Sequence, residues 1–207
     1  MSHALPRSAS MATWEDLKAY EEGTHVEIIE GEIIVAPRPL PAHNRVQRKL
    51  SALIGGPYDD ALEDDDPAGW WILLEVDLQL DAHTVVIPDM VGWRREAVPT
   101  FPQRRPITQV PDWVCEVLSP SNTSYDRIVK ADLYLKAGVA FLWLVDPSER
   151  TLECYQASEK GWLRLGAWGE DDAPRVEPFG EVALPLGRIF PPRPAPEAEA
   201  EGGDAPR

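Results

Sequence analysis

The chain has 207 residues, 43% hydrophobic and 27% charged, with a net charge of −15. That length suits one domain with its own core, the near-average composition excludes a wholly disordered chain, and the acidic balance argues against a nonspecific nucleic-acid coat protein. No apolar run approaches a bilayer span, no signal-peptide pattern opens the chain, and Cys115 and Cys154 lack disulfide-framework or zinc spacing, so a cytoplasmic protein without a membrane partner is expected.

In chain order, residues 1–11 read as a flexible arm, 12–190 as the folded domain and 191–207 as an acidic, Pro/Ala-rich disordered tail. Thr13 can cap a helix to about Glu22, with Trp14, Leu17 and Tyr20 at helical spacing. His25–Glu30 and Glu32–Ala36 flank Gly31 as a hairpin. Ala42–Ile54 reads as a helix stopped by Gly55, Gly56 and Pro57, and an acidic loop follows (Asp59, Asp60, Glu63, Asp64, Asp65, Asp66). Trp70–Leu80 is one expected strand and Val85–Trp93 another, interrupted by Pro88. A Pro-rich loop leads to Trp113–Leu118, apolar except for Glu116, as suits a central strand covered on both faces. Ser121–Ala137 reads as a helix ended by Gly138, then come Phe141–Val145 and an antiparallel finish, Leu152–Tyr155 with Trp162–Leu165. The whole is an α/β fold: a mixed sheet flanked by helices, with an N-terminal hairpin, and not a doubly wound nucleotide fold.

The chain has no Gly-rich phosphate loop, no nucleophile elbow and no paired histidine spacing. What remains is acids where acids are costly. Asp89 breaks a β run and Glu116 sits mid-strand; burial would demand a partner or a shared hard cation. The alternative for each is a lone acid in water at a strand end. Asp126 and Lys130 lie four apart, on the stripe of Val129, Leu133 and Ala137 by 100° steps. A lysine on a packed face implies a buried anion or a functional site; the alternative is a surface ion pair.

Several stretches together resemble the Uma-type restriction endonuclease family, a branch of the PD-(D/E)xK nuclease superfamily. They are HVEIIEGEIIV (His25–Val35), PAHNRV with His43, VVIPDMVGW around Asp89, and PDWVCEVLSPSNTSYDRIVKADLYLKAGVAFLWLVDP (Pro111–Pro147). The resemblance implies a restriction-endonuclease-like core and metal-dependent hydrolysis of DNA. It implies that Asp89 and Glu116, with the carbonyl of Val117, hold Mg²⁺ or Mn²⁺. The usual motif lysine two residues after the second acid is here Leu118, so the resemblance points to Lys130 on the following helix as its substitute, with Asp126 beside it. Glu27, Glu30, Glu32 and Glu75 are candidates for a further acid, and His43 for a supporting role. Arg94, Arg95, Arg104 and Arg105 follow the Asp89 strand and could contact phosphates, or simply solubilise a loop. Cutting both strands suggests a homodimer, with Trp143, Trp162 and Trp168 as the expected exposed apolar surface. The alternative to an endonuclease is a nuclease-like module that no longer cuts and acts by binding protein or nucleic acid.

Overall fold

The structure is a computed structural model and describes residues 11–60, 69–119 and 125–193. Residues 1–10 of the arm, the tail beyond 193, most of the acidic loop and the start expected for the last helix at Ser121 lie outside them. Among the described residues no helix is long and apolar enough to cross a membrane.

Two sheets carry the fold. The smaller has the order β2-β1-β5-β4, built from β1 (Val26–Ile29), β2 (Glu32–Val35), β4 (Leu78–Asp81) and β5 (Thr84–Val86). The larger has the order β10-β9-β8-β7-β6-β3, from β3 (Trp70–Leu74), β6 (Met90–Arg94), β7 (Trp113–Val117), β8 (Phe141–Asp146), β9 (Thr151–Ser158) and β10 (Gly161–Gly169). Only β7 and β8 pair in parallel, so the sheet is mixed. In the β1–β2 hairpin, Glu30 (φ 49°) and Gly31 (φ 87°) both take left-handed backbone, the geometry of a type I′ turn.

The larger sheet has an apolar layer on each face. On one, helix α2 (Pro41–Gly55) lays Val46, Leu50 and Ile54 against Trp113, Cys115, Val117 and Trp143. Gly92 allows close packing there: a Cβ would stand 3.2 Å from both the Trp70 and Trp113 rings, tighter than ordinary contact. On the other face, Val114, Leu118, Leu142 and Leu144 meet Leu133 and Tyr134 of α3 (Ala131–Ala137) together with Leu78 and Val86 of the smaller sheet.

The structure departs from the sequence expectations at several elements, one of them the strand expected over Val85–Trp93, which is β5 and β6 in different sheets, parted at residues 87–89. Helix α1 is a single turn, Trp14–Leu17. Helix α2 ends at Gly55 as expected, but the chain winds on through Gly56 and Pro57 as a π-helical turn over Gly56–Asp60. The strand expected over Trp70–Leu80 is two strands in different sheets, parted by Glu75 at φ 48°. The last helix opens with a π-helical turn over Tyr125–Lys130, whose wider winding breaks the 100° phase and leaves Val129 exposed. Trp143 is fully buried and so gives no surface to a dimer; Trp162 and Trp168 are half-buried.

Candidate active site

The chain crosses between the sheets twice at one seam. Residues 75–77 carry it from β3 to β4, and residues 87–89 carry it back from β5 to β6. The two crossings lie side by side, since the Glu75 N–H reaches the Asp89 carbonyl at 3.4 Å. Met90 pairs with Cys115, so continuing that antiparallel register by one residue sets Asp89 beside Glu116. The strand interruption at Pro88 and the acid in mid-β7 thus meet at one place.

A cleft of about 550 Å³ opens on this seam. Glu27, Glu75, Asp89, Glu116 and Asp126 line it, with Lys130 and Arg38 as the only lysine or arginine among its lining residues. Lys130 Nζ lies 2.8 Å from Glu27 Oε1, 3.3 Å from Glu116 Oε1 and 4.0 Å from Asp126 Oδ1. It is 5% exposed, so the surface-pair reading does not hold. Glu27, from β1, also accepts the Ile87 N–H at 2.7 Å, which ties the smaller sheet to the crossing. Asp89 accepts the Val117 N–H on Oδ2 at 2.7 Å, and its Oδ1 lies 2.9 Å from His43 Nε2. Gln47, one turn beyond His43 on α2, donates to the Glu75 carboxylate and the Asp89 carbonyl, both at 3.0 Å. Tyr134, one turn beyond Lys130, donates to Glu116.

The electrostatics show a surplus of negative charge. Burial pushes Glu116 well above the carboxylate range; Lys130 opposes this, and the charges on Asp89 and Asp126 add to it. Burial likewise raises Asp126 to about 6 against the pull of Lys130. Glu27 is the exception: burial would raise it, but Lys130, His25 and the Ile87 N–H bring it down to about 2. Burial would discharge Lys130, yet Glu116, Glu27 and Asp126 lift it well above the ordinary lysine value, so it is a fixed cation. Burial also disfavours charge on His43, but its bond to Asp89 and the charges of Asp89, Glu75 and Asp126 raise it on balance.

This donor set fits a hard divalent cation. It offers two neighbouring carboxylates, Asp89 and Glu116, and excess negative charge that a cation would neutralise. Two buried polar atoms of the cleft, His43 Nδ1 and the Tyr125 hydroxyl, have no hydrogen-bond partner among the described residues. Among those residues no three acid, imidazole or thiol side chains gather closely enough to enclose a metal unaided. Mg²⁺ does not require that, since it keeps several waters and takes phosphate oxygens as ligands.

Other residues singled out in the sequence lie elsewhere. Glu30 and Glu32 are exposed at the hairpin turn and line no part of the cleft. Arg94 and Arg95 sit at the far end of β6, roughly 17 Å along the strand from Asp89 at ~3.3 Å per residue. Arg94 stacks over Trp70, Arg95 binds Asp59 and the Trp70 carbonyl, and Arg105 pairs with Asp77. Arg104 is exposed and does not line the cleft. None of these four arginines lines the cleft. Gln47, Tyr125 and Tyr134 went unnoticed in the sequence. Gln47 and Tyr134 each follow a candidate residue at i+4, and that spacing was their available signal.

A family model, Uma2, described as "Putative restriction endonuclease", matches residues 14–187. The fold is similar to that of a protein from Anabaena variabilis ATCC 29413 described as a "putative nuclease belonging to DUF820". The two share 24% identity and a TM-score of 0.69 over 86% of this chain and 97% of that one. No curated protein matches the chain.

Proposed function

The chain belongs to the Uma2 restriction endonuclease family, and from that premise we propose that it is a divalent-metal-dependent endonuclease hydrolysing DNA phosphodiester bonds at the seam cleft. The observation that carries this reading is the surplus of buried carboxylate around one fixed ammonium. A structural ion-pair network would balance its charges, because unpaired buried charge is costly.

Asp89, Glu116 and the Val117 carbonyl would hold Mg²⁺ or Mn²⁺. Such an ion supplies Lewis-acid polarisation of a water and of the scissile phosphate. Glu27 and Glu116 orient the Lys130 ammonium. Being a fixed cation, Lys130 does not act as a base; it stabilises negative charge developing on the phosphate oxygens. The Val117 N–H and His43 fix the rotamer of Asp89, and the Tyr134 hydroxyl fixes that of Glu116. Burial raises Asp126 to about 6, within reach of proton exchange near neutral pH. Two such sites in a homodimer would cut both strands of a duplex, and sedimentation at micromolar concentration tests that assembly.

The deciding experiment is a cleavage assay on linear, supercoiled and single-stranded DNA with Mn²⁺, beside Asp89→Ala. Metal-dependent cutting lost in the variant is expected. The second reading, a module that binds without cutting, draws on Leu118 at the usual lysine position and on the absence of a three-ligand group among the described residues. Calorimetry finding no Mn²⁺ binding that depends on Asp89 and Glu116 would favour it.

A further inference from the structure

The cleft is acidic, the chain carries −15, and Arg94, Arg95, Arg104 and Arg105 are engaged or lie away from the cleft, so something else must meet a polyanion. From residue 33 to residue 58 the sequence contains no acid, yet it carries Arg38, Arg45, Arg48 and Lys49. In a chain with 35 acids that is a local reversal of charge. The stretch forms the cleft wall at Ile34–Leu40 and then helix α2.

The helix joins this stretch to the catalytic cluster. Its His43 and Gln47 already touch Asp89 and Glu75. At 100° per residue, Asn44 and Arg48 fall on the edge flanking the His43–Gln47 side, while Lys49 falls on the opposite edge. Arg38, Asn44 and Arg48 are exposed, and Lys49 is half-buried. Arg45 is committed to the Phe190 carbonyl at 3.1 Å. Among the described residues neither Arg38 nor Arg48 makes an ion pair, whereas Lys18, Arg95, Arg105, Arg127, Lys136 and Arg150 all do. Two exposed, uncommitted guanidiniums and an amide donor thus border an anion-poor edge that leads into the acidic cleft.

Resting on the nuclease reading, we propose that Arg38 and Arg48, with Asn44 between them, form the phosphate-docking edge that seats the DNA backbone across the Asp89–Glu116 cleft. Guanidinium forks suit phosphate oxygens, and such contacts set position without reading sequence. Arg48 stands on the helix that also orients Asp89 and Glu75, and Arg38 on the cleft wall that leads into it, which couples substrate position to the geometry of the acids. The edge supplies the attraction that the molecule's total charge withholds.

The test measures DNA affinity against salt by fluorescence anisotropy, using full-length protein carrying Asp89→Asn to prevent cleavage. The probes are one 30-base-pair duplex and one of its strands. Arg38→Ala and Arg48→Ala should each weaken binding and flatten the slope of log K against log salt by about 1, and together by about 2. Lys49→Ala, the same charge change on the far edge, should leave the slope within a few tenths of the parent. A larger flattening on the duplex than on the strand marks the duplex as the source of the phosphates, and equal flattening marks a single backbone. Unchanged slopes for both arginine variants, or an equal loss for Lys49→Ala, overturn the docking edge. Cleavage by the unsubstituted chain in Mn²⁺, run alongside, separates the two readings. Cutting with unchanged slopes sinks the docking edge alone; arginine-dependent binding without cutting under any divalent metal sustains it and sinks hydrolysis. No DNA binding by the parent sinks both.

Discussion

The two faces of β7 are built from alternate residues of five and obey opposite rules. On one face Trp113, Cys115 and Val117 join an apolar layer with Trp143 and Phe179, whose rings meet edge to face. On the other face, among Val114 and Leu118, stands Glu116, 3% exposed and held by Tyr134 and Lys130. Both faces are buried to the same degree. The first lowers the free energy of the fold through removed apolar surface and aromatic packing. The second does the same through Val114 and Leu118 but gives part of it back at Glu116, since a buried carboxylate is held above its ordinary range. A strand that keeps such a residue trades stability for a site.

Substituting each face in turn breaks the comparison most sharply. Trp143→Ala leaves a cavity in the aromatic layer and should cost about 3–5 kcal/mol of unfolding free energy. A chemical denaturation midpoint unchanged from the parent would show that the layer is not the main source of stability. Cleavage, measured per folded molecule at low temperature, should be retained.

Lys130→Ala acts on the other face. Removing one positioned cation should lower cleavage by about 10²–10³-fold. Lys136→Ala is its control, because Lys136 is exposed and, among the described residues, paired only with Asp132. Equal, near-neutral effects of both substitutions on cleavage would count against a catalytic Lys130. Because the variant also strands Glu27 without its cation, unfolding should be measured beside activity; Lys130→Arg, which keeps the charge but changes its shape, should recover stability more than rate.

Glu116→Gln sharpens the contrast further. The amide keeps the size and can still accept from Tyr134, while the costly charge disappears. The metal-free protein should melt no lower than the parent, and by the same change cleavage should fall to background. A marked drop in melting temperature would mean that Glu116 stabilises the fold as half of a balanced pair with Lys130.

How far the sequence discloses these two faces depends on what periodicity can encode. The apolar run at Trp113–Leu118 and its parallel neighbour Phe141–Val145 are plain, because a central strand must be apolar on both sides. Gly31 marks the hairpin for a local reason. The switch of sheets at Glu75 is not plain: Trp70–Leu80 reads as one strand, and a single left-handed residue that divides it leaves no hydrophobic signature. The choice of Glu27 over Glu30 and Glu32 is likewise hidden, since it follows from which side of β1 meets Ile87. Alternation puts Glu30 and Glu32 together but does not say that their face is the wet one. Trp143 shows the converse, for a tryptophan counts as surface or core only once its strand has a position in the sheet. Lys130 was legible despite the π-helical turn, because four residues of spacing from Asp126 survive a change of winding that displaces Val129.

The smallest effect concerns acid, and it separates the costly acids of the cleft from Glu27, which is held below its ordinary value. Asp126, raised to about 6 from 3.8, binds its proton more tightly folded than unfolded, as does Glu116. Their burial therefore costs most at neutral and alkaline pH, and stability returns as pH falls through about 6 toward 4. His43, also raised, acts in the same direction: its protonated form is favoured by folding, and that contribution is lost as pH rises through its folded value. Glu27, lowered to about 2 from 4.5, does the reverse. It contributes fully above about 4.5, and that contribution is lost as pH falls toward 2. Metal-free protein should thus gain melting temperature between about pH 7 and 5 and lose it below about 4. Asp126→Asn should shallow the gain without shifting the acid limb. Saturating Mn²⁺, which favours the ionised acids, should flatten the gain or reverse it. Melting curves in chelator and in Mn²⁺ that run parallel from pH 7 to 5 would mean that the buried acids of this cleft are not what the ion binds.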